Sequence, residues 1–287
     1  FIVSSHSPFL NMGLADNAKE RTLIIDLDNN GMVCSPQNNS LYTEVYDLMV
    51  NENNRFYEQY KNLQDELNTL NKPIIITEGK TDIVHILKAK ETLGIQIDFL
   101  TISDANQPDG DSNLQTLLEQ LCKVKHANKI IAIFDRDIDK TVKTMNDNGV
   151  GYKSYGNNVY GFCISAPQCR IDNVQEKISI EYLYTDEEIH SLLPNNCKLF
   201  FGTEFSENSG RHNNDKDLIL KNQSDRGKQK IVENNGGQAV LDINENNILA
   251  KKTDFANAIK NEDIIISQES WENFRHIFDK IDTIIKL

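Results

Sequence analysis

No apolar run in the sequence reaches the roughly 18 residues that a membrane-spanning helix needs. The five cysteines, Cys34, Cys122, Cys163, Cys169 and Cys197, include no CxxC pair. An odd number without that spacing argues against a disulfide scaffold and a cysteine-type zinc site. Reduced thiols in a cytoplasmic protein are the expectation. Positive charge is scarce: 30 Lys+Arg stand against 43 Asp+Glu, a formal net charge of −13 at pH 7. A protein that coats DNA indiscriminately carries a basic footprint, so this composition disfavours that class. It leaves room for an enzyme that holds nucleic acid through metal ions and a local basic strip. The N-terminal Phe1-Ile2-Val3-Ser4-Ser5-His6-Ser7-Pro8 has neither an initiator Met nor a signal-peptide n-region, and is expected to be the cut end of a longer chain. There is no internal repeat.

What is present suits a folded protein. The 287 residues are 39% hydrophobic and 25% charged, enough for a real core and for one large or two ordinary domains. Residues 1–40 read as the end of an α/β unit, with strands at 1–4 and 23–27, the second closed by the turn signal Asp28-Asn29-Asn30-Gly31. Over 41–72, Tyr42, Val45, Tyr46, Met49, Phe56, Tyr60, Leu63, Leu67 and Leu70 recur at helical spacing, which predicts an amphipathic linker suited to self-association. From 73 the pattern alternates. Strands are expected at 72–77, 98–103, 129–134 and 160–165, and helices at 81–93, 113–123 and 141–148. Short apolar strands alternating with helices predict an α/β fold, a parallel sheet flanked by helices. Beyond 166, the expectations are a helix over 179–193, a polar loop or mobile segment over 202–237, and closing helices over 255–259 and 271–285.

Two acidic motifs end apolar strands. Ile74-Ile75-Ile76-Thr77 runs into Glu78-Gly79-Lys80-Thr81-Asp82, and Ile130-Ile131-Ala132-Ile133-Phe134 runs into Asp135-Arg136-Asp137. Ligands of an open parallel sheet bind at the carboxyl ends of its strands. Asp82, one helical turn after Glu78, faces the same way. Carboxylates gathered at one edge repel unless cations lie between them. Hard divalent ions take oxygen ligands, and a pair of them suits phosphodiester chemistry. Each motif alone has a bland explanation: a lone DxD is common, and acidic residues favour a helix start. Gly79-Lys80-Thr81 is not the end of a phosphate-binding P-loop, because Ile74 stands where its first glycine belongs.

Together the motifs resemble the Toprim domain of topoisomerases, bacterial primases and overcoming-lysogenization-defect (OLD) nucleases, in which a Glu closes the first strand and a DxD a later one. Gly110–Leu114 resembles the glycine-containing entry to the family's second helix. Ile2-Val3-Ser4-Ser5-His6-Ser7-Pro8 resembles the switch-histidine strand of ABC-type ATPases, the domain that precedes Toprim in OLD proteins. His6 would then be a nucleotide-binding relic, with ATP a ligand only of the full-length parent, since neither Walker motif is present. Ile180-Glu181-Tyr182-Leu183 resembles a family signature whose Glu assists the metal, although Tyr182 replaces the usual Asn. Asp225-Arg226-Gly227-Lys228-Gln229-Lys230 resembles the region that supplies a catalytic lysine; a solvated basic loop is the alternative.

The resemblance implies a Toprim-type sheet over 73–287 and two Mg²⁺ or Mn²⁺ ions held by Glu78, Asp82, Asp135, Asp137 and Glu181. Glu78 and Lys228 would be catalytic, with Lys230 the alternate lysine. It implies a DNA endonuclease or nickase in phage defence that self-associates, with a helicase-like protein as a possible partner. Lys216, Lys221, Arg226, Lys228 and Lys230 would hold DNA. Two other classes stay open: a haloacid-dehalogenase-like phosphatase built on Asp135-Arg136-Asp137, which leaves Glu78 unexplained, and a non-catalytic assembly module.

Overall fold

The computed structural model describes residues 26–27, 30–34, 72–102, 110–146, 149–221 and 224–287. The chain divides into two units, Phe1–Thr69 and Leu70–Leu287. In the first unit, β1 (Asp26–Leu27) pairs antiparallel with β2 (Val33–Cys34) around Gly31, whose φ of 75° suits the turn signal read there. His6 and the expected linker helices at 41–70 lie outside the described residues.

The second unit is built on a five-stranded sheet of order β4-β3-β5-β7-β6, where β3 is Ile74–Thr77, β4 Leu100–Thr101, β5 Ile130–Phe134, β6 Lys153–Gly156 and β7 Val159–Cys163. The apolar runs of β3 and β5 are adjacent and parallel, Ile74 facing Ile130 and Thr77 facing Ile133. They read as unbroken hydrophobic stretches because both sheet faces are covered. Ile75, Ile131 and Ile133 enter one core with Ile83, Ile86 and Ala89 of α1 (Asp82–Thr92). The alternate residues Ile76, Ile130, Ala132 and Phe134 enter the other, with Leu114 and Leu118 of α2 (Asp111–Leu121) and Met145 of α3 (Asp139–Met145). Each fully buried Ile, Leu or Phe contributes roughly 1.5–3 kcal/mol.

The sheet is not wholly parallel, a correction to the expectation. β6 pairs antiparallel with β7, through a hairpin whose Asn157 and Asn158 carry φ of 50° and 67°. Asparagine tolerates this conformation better than most residues. The half-exposed Lys153–Gly156 has no apolar run, so its strand character was invisible in the hydrophobic pattern.

The C-terminal third departs further. The helix expected over 179–193 is instead one 3-10 turn, Ile180–Leu183, and a short helix α5 (Asp186–Ile189), after the earlier short helix α4 (Gln168–Asp172). Thr185 stops the first and starts the second: its hydroxyl accepts the Glu188 N–H at 3.2 Å while the Glu188 carboxylate accepts the Thr185 N–H at 2.8 Å. The segment 202–237 is not a loose loop either. β8 (Phe200–Phe201) pairs with β10 (Ile231–Val232), and β9 (Ile219–Leu220) with β11 (Val240–Leu241). They close a separate core of Phe200, Phe205, Leu218, Leu220, Val232, Val240 and Leu249. Its apolar residues are too widely spaced to show a period. Three helices finish the fold: α6 (Lys252–Lys260), α7 (Gln268–Glu272) and α8 (Arg275–Ile285). Among the described residues no helix is long and apolar enough to cross a membrane.

Candidate active site

The pairing of β3 with β5 sets their carboxyl ends side by side, so Glu78 and Asp135 meet. The Asp135 N–H donates to Glu78 Oε2 at 3.2 Å, and the Glu78 N–H donates to the Ile133 carbonyl at 3.2 Å. Asp135 Oδ1 accepts the N–H of Ile180 at 3.0 Å, which fastens the 3-10 turn bearing Glu181 to the same rim. Asp82, buried at the start of α1, accepts the Gly79 N–H at 2.7 Å. A Cβ on Gly79 would lie 2.9 Å from that carboxylate, so glycine is what lets the turn close. Each acidic side chain therefore holds the main chain of a neighbouring residue or segment.

Charge at the rim is poorly compensated. Burial, then the charge of Asp137, pushes the Glu78 pKa up to about 7. Burial, then Glu181, pushes Asp82 up to about 7. Asp135 is raised well above the usual carboxylate range by burial and by Asp82. Asp137 stands exposed at the rim, and burial of part of its carboxylate still raises it. Glu181 goes the other way. Burial would raise it, but the Lys252 ammonium, His85 and the Ser179 hydroxyl, which donates at 2.5 Å, outweigh that and lower it.

Lys252, the first residue of α6, is the cation embedded in this set. Its Nζ lies 3.1 Å from Glu181 Oε1, the lysine side chain 24% and the glutamate 0% exposed. That contact is an ion pair without hydrogen-bond geometry, since Glu181 Oε1 has no hydrogen-bond partner. Burial would lower the Lys252 pKa, yet Glu181, Asp135, Glu233 and Asp82 together raise it, so the ammonium keeps its proton. Lysine at a helix start opposes the helix dipole, and this misfit was the one sequence signal that could have singled out Lys252. Asp111 also went unnamed. It opens α2 after Gly110, whose N–H reaches the Glu78 carbonyl at 3.4 Å, and its charge raises both Glu78 and Asp137.

The expected site residues thus fall into two groups. Glu78, Asp82, Asp135, Asp137 and Glu181 come together. Lys228 and Lys230 lie exposed in a loop anchored by Gly227 N–H to Gly202 O and Gly202 N–H to Lys230 O, each 2.8 Å. Lys230 pairs with Asp225 at 2.8 Å, and its charge still reaches Asp137. Of the expected DNA-holding residues, Arg226 donates from Nε and Nη2 to the Leu220 carbonyl, and Lys216 donates to the Asn213 carbonyl. Tyr182 and Tyr184 are buried, Tyr184 with its hydroxyl 3.0 Å from His85 Nδ1, which leaves neither free as a surface nucleophile.

Chemically the rim suits a hard divalent cation: oxygen donors only, with more negative charge than Lys252 offsets. Among the described residues no three carboxylate, imidazole or thiolate groups form a ready-made metal cage. Mg²⁺ does not require one, because it commonly keeps several waters and binds through one or two carboxylates plus substrate phosphates. No known protein family, curated protein or solved structure matches the chain.

Proposed function

We propose that residues 73–287 form a Toprim-type, metal-dependent DNA endonuclease or nickase of the OLD kind. The observation that carries this is the joining of Glu78 to Asp135 at the carboxyl ends of adjacent parallel strands, with Asp82, Asp137 and Glu181 grouped around them. Mg²⁺ or Mn²⁺ held by these carboxylates would supply a more acidic attacking water and stabilisation of the departing 3′-oxygen. Glu78, at the end of β3 and joined to Asp135, would take the proton from that water. Lys252 keeps its charge and offers it to the phosphate as negative charge builds there. In this reading Lys252 takes the part first assigned to Lys228, and Lys228 joins Lys216, Lys221 and Lys230 in gripping the strand.

The test is nicking of supercoiled plasmid in Mg²⁺ and in Mn²⁺. Glu78→Ala and Asp135→Ala are each expected to slow cutting about 10²-fold or more, the low end of what positioned acid–base groups contribute. Either variant cutting at the parental rate would refute the assignment. Hydrolysis of small phosphomonoesters without plasmid cleavage would favour the phosphatase class instead.

A further inference from the structure

A cavity of about 210 Å³ is lined by Arg136 of the DxD motif with Asn146, Phe162, Cys163, His276 and Lys280 among others. None of the five clustered carboxylates lines it. The rim is nonetheless close, because the charges of Glu78, Asp135 and Asp137 all act on the Cys163 thiol. The hollow carries both a guanidinium and an ammonium, in a chain whose net charge is −13.

The side chains leave hydrogen-bond capacity toward the cavity. The Arg136 main chain is tied down by its N–H to the Ile178 carbonyl at 2.8 Å. Among the described residues its guanidinium pairs with the exposed Glu176 at 3.6 Å, beyond hydrogen-bond reach. Lys280 Nζ donates to the Val150 carbonyl at 3.1 Å, and an ammonium has three donors. Asn146 Oδ1 accepts the Gly151 N–H at 2.9 Å, which leaves its amide nitrogen as a donor. The turn lies against the ammonium: Gly151 has φ 77°, which a side chain would strain, and a Cβ there would meet Lys280 Nζ at 2.7 Å and displace it. His276 is a neutral pin whose Nε2 accepts the Ser165 N–H at 2.8 Å, and burial lowers its pKa to about 4. Asp279, one residue from Lys280, is the acidic neighbour on α8.

We propose that this cavity is a binding site for a phosphate group carried on a sugar. Arginine's planar fork meets phosphate oxygens in pairs, and lysine adds a point charge. The volume is about 210 Å³. That is room for a sugar phosphate, and less than the roughly 300–1,000 Å³ of pockets that enclose whole drug-sized ligands. The group can come from a nucleic-acid strand whose neighbouring phosphate lies at the carboxylate rim, or from a free nucleotide. The proposal does not depend on nuclease activity, since Arg136 and Lys280 act without a metal.

Calorimetry on the whole chain in EDTA separates these cases, with inorganic phosphate, a deoxynucleoside 5′-monophosphate, a short single-stranded oligodeoxynucleotide and acetate as probes. The monophosphate is expected to bind at least tenfold tighter than acetate. Arg136→Gln and Lys280→Gln are each expected to weaken it about tenfold, and Gly151→Ala, which removes no charge, to weaken it severalfold. An oligonucleotide that competes with the monophosphate identifies a strand as the source; one that does not identifies a free nucleotide. No binding at millimolar concentrations, acetate binding as tightly, or binding unchanged in Arg136→Gln and Lys280→Gln would each overturn the proposal. Phosphate binding that persists in a protein unable to nick plasmid would sink the nuclease reading and leave this one standing.

Discussion

Glu78 Oε2 accepts the main-chain N–H of Asp135 at 3.2 Å, across two parallel strands that hold Thr77 opposite Ile133. Register sets this meeting. A slip of one residue would turn every side chain of β5 to the other face, exchanging Ile131 and Ile133 for Ala132 and Phe134 in the larger core. The hydrophobic pattern that builds the two cores therefore also aligns the two acidic residues, and the charge gathered there yields consequences that can be measured.

Asp82 holds a proton in the folded protein over a pH range where the unfolded chain has lost it. Its folded pKa is about 7 against an ordinary 3.8, so the stability cost appears as pH rises through that window and is complete above it. Asp82→Asn keeps an acceptor for Gly79 and removes the cost. In EDTA it should melt several degrees higher than the parent at pH 8, given roughly 2–4 °C per kcal/mol in a domain of this size. The gain should vanish near pH 4. Melting curves that differ equally at both values would show that charge is not the cause.

Metal binding should expel protons. Glu78 and Asp82 both have pKa values about 7, so each is largely protonated at pH 6 and ionised at pH 9. Mn²⁺ titrated at pH 6 in buffers of different ionisation enthalpy should release on the order of one proton per ion. At pH 9 the release should disappear, and affinity should be higher.

Lys252 and Glu181 depend on each other. Removing one partner of a buried pair costs about 3–5 kcal/mol because the other charge is left unpaired. Lys252→Met should therefore lower stability strongly, and adding Glu181→Gln should restore much of the loss. Chemical denaturation of the two single variants and the double variant measures the coupling. Strictly additive losses would mean the two do not interact in solution.

Gly202 is pinned under the lysine loop. A Cβ there would lie 2.1 Å from the Asp225 carbonyl oxygen and 2.5 Å from that of Lys228, both main-chain atoms. Gly202→Ala should destabilise by about 1–3 kcal/mol or more, as overpacking does, and speed amide exchange over residues 225–230. Unchanged exchange there would mean that the loop is held elsewhere.

The local order of the chain already carried a good deal. Strands covered on both faces are written as unbroken apolar runs, so β3 and β5 stood out, and the acids that end them could be assigned to one sheet edge. Helix α1 likewise followed from its apolar spacing after Thr81. The edge strand β6 did not, because a half-exposed strand with Lys153, Ser154 and Gly156 has no hydrophobic signature. Nor did the ladders between 200 and 241, whose two-residue strands are shorter than any detectable period.

What the sequence determined alone was that Glu78 and the Asp135/Asp137 pair would share a rim, since each of the two motifs sits at the end of a strand whose burial pattern was plain. The tertiary structure decided which cation joins them and where the spare cations go. Lys252 reaches Glu181 only because α6 packs against α1 through Phe255, Ala258 and Ile259. Lys280 reaches the Arg136 cavity only because α8 lies along Gly151. Contacts between residues so far apart in the chain arise from packing of apolar faces, and a charged residue carried along on such a face leaves no mark in the sequence around its eventual partner.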